Sequence, residues 1–389
     1  MHRFIKNRSA IGVSVAAVMA LATAAGISAY KTHQEKDSDL FIKTYPDLAG
    51  TGMDGCDACH GRIPGLPPGA AEGKAVILSS CDSCHRTTDY GRKAGNTLNA
   101  YGRQYMNAGR DAAAFAAIAA LDSDGDGFRN DVELQAGTNP GDPQSAPDKK
   151  PAPHVEVALS ELIQKGVPAY DQAIFVNVTK SKGGDSYSDL RGFKLIDVLE
   201  AAGLTEEATS IDVISVDGYM TTFSIEQLRR SYPQAAPVMG LDKATLGECG
   251  WVRYDAGNLK EGIPLPDADI LLAYEENGES YPPASVNGEG RLTGSGPFRV
   301  VAPQMKNPGI PDLSSRASDD CVKKLPEKFH YNKTYEKNSD YCVKAVVAIR
   351  VNPMPAGTMD IDWPRYTAKA IAEKSVVIFG ALKSKRPGT

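Results

Sequence analysis

Apolar residues near the amino terminus form a continuous run rather than a periodic pattern. The run extends from Ala10 to Ala25 and follows the basic residues Arg3, Lys6 and Arg8. A short, alanine-rich run with a basic start is typical of a secretory signal and is too short for a well-formed membrane span. We therefore expect residues 1–29 to be a signal peptide, with an uncleaved anchor as the alternative.

Between Thr97 and Leu121 the apolar residues recur at helical spacing. This pattern predicts a helical segment, and Gly109 is expected to divide it into two helices. Five residues are predicted to face inward: Leu98, Tyr101, Tyr105, Phe115 and Ile118.

After about residue 155 the pattern changes to short apolar stretches that alternate with turns. The predicted strands are Ala173 to Val178, Ser210 to Val216, Ile270 to Tyr274, Phe298 to Val301, Val343 to Val351 and Ser375 to Phe379. Leu195 to Ala202 and Ser224 to Arg230 are predicted helices, the second starting with Ser224 and Gln227 at capping-box spacing. This mixture predicts an α+β fold with a largely antiparallel sheet.

These patterns together predict a fold class of two domains. Residues 30–143 are expected to form a small, mainly α domain. Residues 155–389 are expected to form the α+β domain. Residues 144–154 are the predicted linker, because prolines recur from Pro140 to Pro153 and stiffen an extended chain.

Composition and net charge exclude few classes of function. The 389 residues carry a formal charge of −5, which becomes −8 when the three basic residues of the signal are removed. This mild acidity argues against a nucleic-acid partner.

One five-residue motif, Cys-x-x-Cys-His, occurs twice and carries the strongest chemical prediction. The copies span residues 56–60 and 81–85, and their functional residues are Cys56, Cys59, His60, Cys81, Cys84 and His85. This spacing is typical of covalent c-type haem attachment, with the histidine as the proximal iron ligand. A four-cysteine zinc site and a thioredoxin-type pair are the alternatives. The zinc site leaves both histidines unexplained, and the thioredoxin-type pair needs a flanking βαβ pattern that the Gly- and Pro-rich segment after the first motif does not provide.

The distal iron ligands are less well defined by the sequence. Candidates near the motifs are His33, Met53, Met106 and His154, of which His33 and Met106 are our first choices. The choice matters because a methionine ligand raises the reduction potential relative to a histidine.

Residues 122–133 match a calcium-binding loop of twelve residues. The predicted ligands are the side chains of Asp122, Asp124, Asp126, Asn130 and Glu133 and the backbone carbonyl of Phe128. Alternate acidic side chains can converge on one hard cation, and Gly127 allows the sharp turn. The following segment to Pro143 resembles the end of a thrombospondin type 3 calcium repeat, and we expect a structural calcium ion. The alternative is an acidic, solvated turn.

Three cysteines remain outside the haem motifs: Cys249, Cys321 and Cys342. In an oxidising compartment two of them are expected to pair. Cys321 and Cys342 flank one polar insert, so we predict a disulfide between them and expect Cys249 to be a buried or free thiol.

Four segments in order resemble the molybdopterin-binding domain of the sulfite oxidase type. They begin at Gly192, Ile214, Leu272 and Gly296, and the resemblance extends over most of residues 170–350. It implies the same α+β fold. Enzymes of that family bind molybdenum through a cysteine just before the first segment, whereas residues 176–184 contain no cysteine. We therefore expect no molybdopterin cofactor.

The overall order of motifs is similar to that of exported dihaem proteins of metal-respiring bacteria that are named for a Gly-Glu-Gly-Pro motif. This chain has Gly288-Glu289-Gly290, with Gly296-Pro297 a little later. The expected function is electron transfer, in the periplasm or outside a Gram-negative cell, to other redox proteins or extracellular acceptors. The alternative is a molybdopterin-dependent oxidoreductase with its own dihaem relay. We favour a carrier over an enzyme, with no membrane span once the signal is removed.

Overall fold

The computed structural model describes most of the chain after residue 35. The described residues are 36–49, 51, 53, 98–179, 185–216, 219–234, 237–239, 241, 243–250, 261–286 and 292–383. Both haem motifs, residues 54–97 as a whole and the predicted signal lie outside them.

Ten α-helices occur within these residues, and all of them are short. They are α1 Lys36–Thr44, α2 Ala100–Asn107, α3 Ala112–Ile118, α4 Asn130–Ala136, α5 Leu159–Gln164, α6 Leu195–Ala201, α7 Ile225–Leu228, α8 Lys243–Leu246, α9 Asp319–Lys324 and α10 Thr367–Glu373. Helices α1–α4, the amino-terminal helices, enclose an apolar cluster that includes Phe41, Tyr101 and Phe115.

Fourteen strands follow these four helices along the chain. They are β1 Lys150–Pro151, β2 His154–Ala158, β3 Ala169–Val176, β4 Ser186–Lys194, β5 Ser210–Ser215, β6 Met220–Ser224, β7 Leu271–Glu276, β8 Glu279–Ser280, β9 Ser285–Val286, β10 Leu292–Thr293, β11 Phe298–Val301, β12 Val343–Asn352, β13 Thr358–Met359 and β14 Ser375–Gly380. Ten of them form one sheet with the path β2-β14-β12-β11-β7-β4-β3. In addition, β5 pairs with β12 and β6, and β8 pairs with β7. All of its pairs are antiparallel except β12 with β14.

Strand β12 lies in the interior of the sheet, and its residues 345–351 are apolar on both faces except at Arg350, which pairs with Asp212 and Asp360. Residues 345–351 are all buried, as expected for a strand covered on both sides. Strand β4 illustrates a different constraint. At Gly192 an added Cβ atom would lie 2.6 Å from the carbonyl oxygen of Leu272 on β7, so the close approach of the two strands requires glycine here.

The amino-terminal helical pattern is confirmed in its main features. Helices α2 and α3 are separated at Gly109, whose φ of 115° is readily adopted only by glycine. Four of the five predicted inward residues are buried, and Leu98 is half-buried. Each helix is also capped as a short helix requires: the side chains of Asn99 and Asp111 accept hydrogen bonds from the backbone of the first turn.

The predicted fold class, a small mainly α domain followed by an α+β domain, is wrong. The described residues are about 29% helical and 28% strand, and no small mainly α domain is evident among them. Helices and strands instead form a mixed structure with one large, mostly antiparallel sheet. The Pro-rich segment misled the prediction, because it contributes strand β1 and leads directly into β2. Pro151 of β1 is paired only with β13, and prolines are tolerated in strands that have one unpaired edge.

The predicted disulfide between Cys321 and Cys342 is also wrong. Cys321 pairs with Cys249, at a Cα–Cα distance of 5.2 Å, and Cys342 is a free thiol. Cys249 and Cys321 are buried in the same apolar cluster, which brings them together although 72 residues separate them in sequence. Cys342 immediately precedes β12, and its thiol donates to the carbonyl oxygen of Asn338. Burial raises the pKa of this thiol.

The capping box predicted at Ser224 is confirmed and provides a first test of the local structure. The Ser224 hydroxyl accepts from the backbone N–H of Gln227, and the Gln227 side chain accepts from the backbone N–H of Ser224. Replacing Ser224 with Ala is expected to lower the free energy of unfolding by about 1 kcal/mol, because one helix N–H loses its partner. Urea denaturation measures this effect. A loss below about 0.3 kcal/mol would show that the cap contributes little.

Candidate functional site: an acidic loop and its surroundings

Residues 122–133 comprise the end of the connection between α3 and α4 and the first turn of α4, and the connecting backbone turns three carboxylates toward one point. The Asp122 carboxylate accepts from the backbone N–H groups of Gly125 (2.7 Å) and Gly127 (3.0 Å). One oxygen each of Asp124 and Asp126 accepts from the residue two positions later. Both glycines have positive φ, 82° and 99°, which this winding requires. Ligand atoms of the three aspartates lie within 4.8 Å of one another.

Four carboxylate oxygens of residues 122–133 are buried without a hydrogen-bond donor. Asp124 and Asp126 each have one such Oδ2 atom, and both Oε atoms of Glu133 share this property. Glu133 is 0% exposed. A buried polar atom without a partner costs about 1–3 kcal/mol, and more when it is charged, so these four oxygens favour a nearby positive group.

The pKa values of two loop carboxyls are raised, because these groups are buried next to other carboxylates with no positively charged group among the described residues beside them. Burial, opposed by a backbone hydrogen bond and supported by repulsion from Asp126, raises the pKa of Asp124 to about 6. Burial and the charges of Asp124, Asp126 and Asp122 raise the pKa of Glu133 to about 8. In the apo protein the Glu133 carboxyl is therefore largely protonated at neutral pH, and a cation must displace that proton.

The structure treats two of the predicted calcium ligands, Asn130 and Phe128, differently: the side chain of Asn130 has other hydrogen-bond partners, whereas the carbonyl of Phe128 is still a predicted ligand. Asn130 is buried and its side chain is used elsewhere: Nδ2 donates to the carbonyl of Ile118 (2.7 Å), and Oδ1 accepts from the backbone of Ser123 (3.2 Å). These bonds hold the two ends of the loop together, so Asn130 is a structural residue here. Phe128 is half-buried, and its N–H donates to Asp126 while its carbonyl remains a predicted ligand.

The residues present fit a hard divalent cation. All available ligand atoms are oxygens, and Asp122, Asp124, Asp126 and Glu133 contribute carboxylates from both ends of one loop. Calcium binds six to eight oxygens in flexible geometry, whereas softer metals select nitrogen or sulfur. The four buried oxygens without a donor are the observation on which this fit rests.

The haem residues cannot be placed in the same way. Cys56, Cys59, His60, Cys81, Cys84 and His85, together with His33, lie outside the described residues. Met106 is described, near the end of α2, with 44% of its surface exposed. Its side chain therefore belongs to the surface of the amino-terminal helices.

A second polar cluster, which no sequence pattern predicted, lies at the end of β3. Asn177 follows β3 and is fully buried; its amide donates to Asp185 (3.1 Å) and Asp312 (2.9 Å). Lys337 donates to both oxygens of Asp312 at 2.8 Å. Asn338 accepts from the backbone N–H of Asn177. The cluster joins segments up to 163 positions apart, so no local pattern could have indicated it.

Comparison with known proteins adds one finding. Residues 122–143 match the family model described as a bacterial TSP3 repeat, a calcium-binding type of repeat. The match covers the acidic loop, α4 and the turn after it, and so it describes this segment alone. No curated protein and no solved structure matched the chain. Among the described residues, no helix has the length and apolar character needed to cross a lipid bilayer.

Proposed function

We propose that this protein is an exported c-type dihaem electron carrier braced by a structural calcium ion. The observation that carries the proposal is the pair of Cys-x-x-Cys-His motifs at residues 56–60 and 81–85. Two cysteines at this spacing can bind both vinyl groups of one porphyrin, and the adjoining histidine can bind its iron. The basic and apolar start of the chain supports export, which haem attachment of this kind requires.

The calcium ion is proposed to hold the acidic loop closed. Asp122, Asp124, Asp126 and Glu133 would bind it, with the Phe128 carbonyl as a further ligand. Asn139 and Asp142, in the same repeat, form the turn that leads toward β1. An ion at this position would therefore fix the orientation of α4 relative to the chain that enters the sheet.

The large sheet is proposed to serve as a scaffold or docking surface for redox partners. Where the resemblance implies a molybdenum thiolate, this chain has the Asn177 amide, hydrogen-bonded to two buried carboxylates. An amide and carboxylates are a poor substitute for a soft thiolate ligand. These residues favour a carrier over the alternative of a molybdopterin oxidoreductase. The expected partners are other redox proteins or extracellular electron acceptors.

Haem content tests the proposal directly. The protein, made in a host with a c-type maturation system, is expected to contain two haems per chain by mass and by its pyridine haemochrome. Replacing Cys81 and Cys84 together with Ala should leave one haem, because one attachment site is lost. The control variant Cys342→Ser should retain two, since this thiol lies outside both motifs. A colourless protein that contains zinc would refute the proposal.

A further inference from the structure

The buried polar cluster at the end of β3 contains two carboxyl groups and one cation. Asp312 and Asp185 are 0% and 1% exposed, and both accept from the amide of Asn177. The Lys337 ammonium donates to both oxygens of Asp312. Among the described residues, no other basic side chain bonds to either carboxyl. If both carboxyls were ionised, the cluster would therefore carry one uncompensated negative charge, which is costly away from solvent.

The hydrogen bonds of the two carboxyls differ, and the difference identifies the group that is un-ionised. Asp312 bonds to the ammonium with both oxygens and also accepts from the backbone N–H of Asn332 at 2.6 Å. Asp185 has only neutral donors, namely the Asn177 amide and the backbone N–H groups of Val178 and Asp312. A carboxyl beside a cation keeps its charge more readily than one without, so a single proton in the cluster belongs on Asp185. Burial raises the pKa of Asp185 well above its ordinary value, in agreement with this assignment.

An acceptor in the group bonded to Asp185 lacks a donor, as a proton at this position requires. Asn177 is fully buried; its Nδ2 donates to the Asp185 Oδ2 at 3.1 Å, and its Oδ1 has no hydrogen-bond partner among the described residues. A carboxylate only accepts hydrogen bonds, whereas an un-ionised carboxyl also donates one. A carboxylic acid can thus accept from an amide N–H and donate to the carbonyl of the same amide. An ionised Asp185 leaves the Asn177 Oδ1 unsatisfied, and an un-ionised Asp185 supplies the donor.

On these grounds we propose that Asp185 is a buried proton-binding site: it remains un-ionised at neutral pH and donates its proton to the Asn177 Oδ1. The bond joins the end of β3 to the start of β4, because Asp185 directly precedes Ser186. The inference does not rest on the proposed electron transfer, since none of these residues belongs to the haem motifs or to the acidic loop.

The site makes this part of the structure sensitive to pH. Among the described residues, the charged groups that face Asp185 are Asp312 and Lys337, and the Tyr331 ring lies against Lys337. At alkaline pH, loss of the proton would place a second negative charge beside Asp312 and would again leave the amide oxygen without a donor. We therefore expect the contacts between β3, β4 and the segment at residue 312 to open as the pH rises.

The pH dependence of unfolding tests the proton assigned to Asp185. An aspartate in the unfolded chain loses its proton near pH 4, whereas Asp185 is expected to keep it in the folded state. Folding then takes up one proton at this residue, and the stability that it contributes is lost as the pH rises. The unfolding equilibrium constant of the wild type, divided by that of Asp185→Asn, should increase about tenfold per pH unit between pH 5 and pH 7. Asparagine does not titrate, so the ratio removes the pH dependence of groups that the substitution leaves unchanged.

Asp171→Asn is the matched control for this measurement. Asp171 lies on the same strand, β3, but its carboxyl is exposed beside Arg191. The corresponding ratio for Asp171→Asn should not change over this pH range. A ratio for Asp185→Asn that is equally constant would overturn the proposal, because it would show that Asp185 is ionised in the folded protein.

Infrared spectroscopy of the full-length protein provides a second, independent readout. At pH 7 the wild type should show the carbonyl stretch of an un-ionised carboxylic acid, above the amide I band. Excess calcium is present because Glu133 is also protonated in the apo protein. The band should be lost in Asp185→Asn and should move to higher frequency in Asn177→Leu, where the acid carbonyl loses its amide donor.

The two variants also separate protonation from a purely structural role. A structural role alone would change the stability of Asn177→Leu without moving the band. If Asp185→Asn is not recovered folded, the frequency of the band in Asn177→Leu decides: a shift supports the acid–amide bond, and an unchanged frequency contradicts it. A wild-type spectrum without the band would overturn the proposal whatever the variants do.

Discussion

Replacing Lys337 with Met is expected to lower the free energy of unfolding by about 3–5 kcal/mol, because it leaves a buried carboxylate without its cation. Lys337 donates to both oxygens of Asp312 at 2.8 Å, and the two side chains are 7% and 0% exposed. Its ammonium group also lies 4.7 Å from the centre of the Tyr331 ring. Methionine preserves most of the side-chain volume but removes the charge together with both hydrogen bonds to Asp312.

The surroundings of Asp312 explain why the loss should be large. Asp185 lies beside it, accepts from the Asp312 backbone N–H at 2.8 Å and shares the Asn177 amide with it. Burial, with the Asp312 charge as a further cause, raises the pKa of the Asp185 carboxyl well above its ordinary value. Lys337 therefore provides the positive charge for a pair of acidic groups, and its own side chain and that of Asp312 are largely shielded from bulk solvent.

Urea denaturation of matched variants measures this effect. Lys324→Met removes the same charge from an exposed ion pair with Asp320, and should cost less than about 1 kcal/mol. The double variant Lys337→Met, Asp312→Asn removes both buried charges and should be more stable than Lys337→Met alone. If Lys337→Met behaves like Lys324→Met, the buried pair is not an important stabilising contact.

The sequence predicted the elements whose signals are local. All six predicted strands and both predicted helices after residue 155 occur, with ends shifted by at most four residues. Each has either an apolar run, as in β12, or a cap, as at Ser224. The strands that were missed are more polar. Strand β4 begins Ser-Tyr-Ser-Asp, and only its pairing with β3 and β7 makes it a strand.

Local sequence patterns could not predict contacts between residues that lie far apart in the sequence. The disulfide prediction relied on closeness in sequence, whereas Cys249 reaches Cys321 through a shared apolar cluster. The same limit applies to Asn177, whose partners Asp185 and Asp312 come from separate segments. The acidic loop could be predicted from the sequence because its proposed ligands lie within twelve consecutive residues. The hydrogen bond that occupies the Asn130 amide could not, because its partner Ile118 lies twelve residues earlier.

Calcium is expected to stabilise the protein by an amount that increases with pH. In the apo protein the pKa of Glu133 is raised from 4.5 to about 8 by burial and by the neighbouring aspartates. The folded state therefore binds this proton more tightly than the unfolded chain does. Its contribution to stability is complete below pH 4.5 and is lost as the pH rises toward 8. Calcium replaces the proton, so its benefit is greatest where the proton is lost.

Thermal unfolding with excess calcium or with a chelator measures the difference. At calcium concentrations about 100-fold above the dissociation constant, binding to the folded state alone contributes about 2.7 kcal/mol. We expect a gain of this order at pH 8 and a much smaller gain at pH 5, because protons compete for Glu133 and Asp124. An equal gain at both pH values would contradict the role assigned to these carboxyls.

The variant Glu133→Gln separates calcium binding from simple loss of structure. Glutamine is neutral, so at pH 8 the apo variant should be more stable than the apo wild type, in which the buried carboxyl begins to ionise. Added calcium should then stabilise the variant far less than the wild type, because a bidentate carboxylate is missing. Asp131→Asn is the matched control, since Asp131 lies on the same helix but pairs with Arg129 at the surface. A merely structural role for Glu133 would make its glutamine variant less stable in the apo form, the opposite of the expected sign.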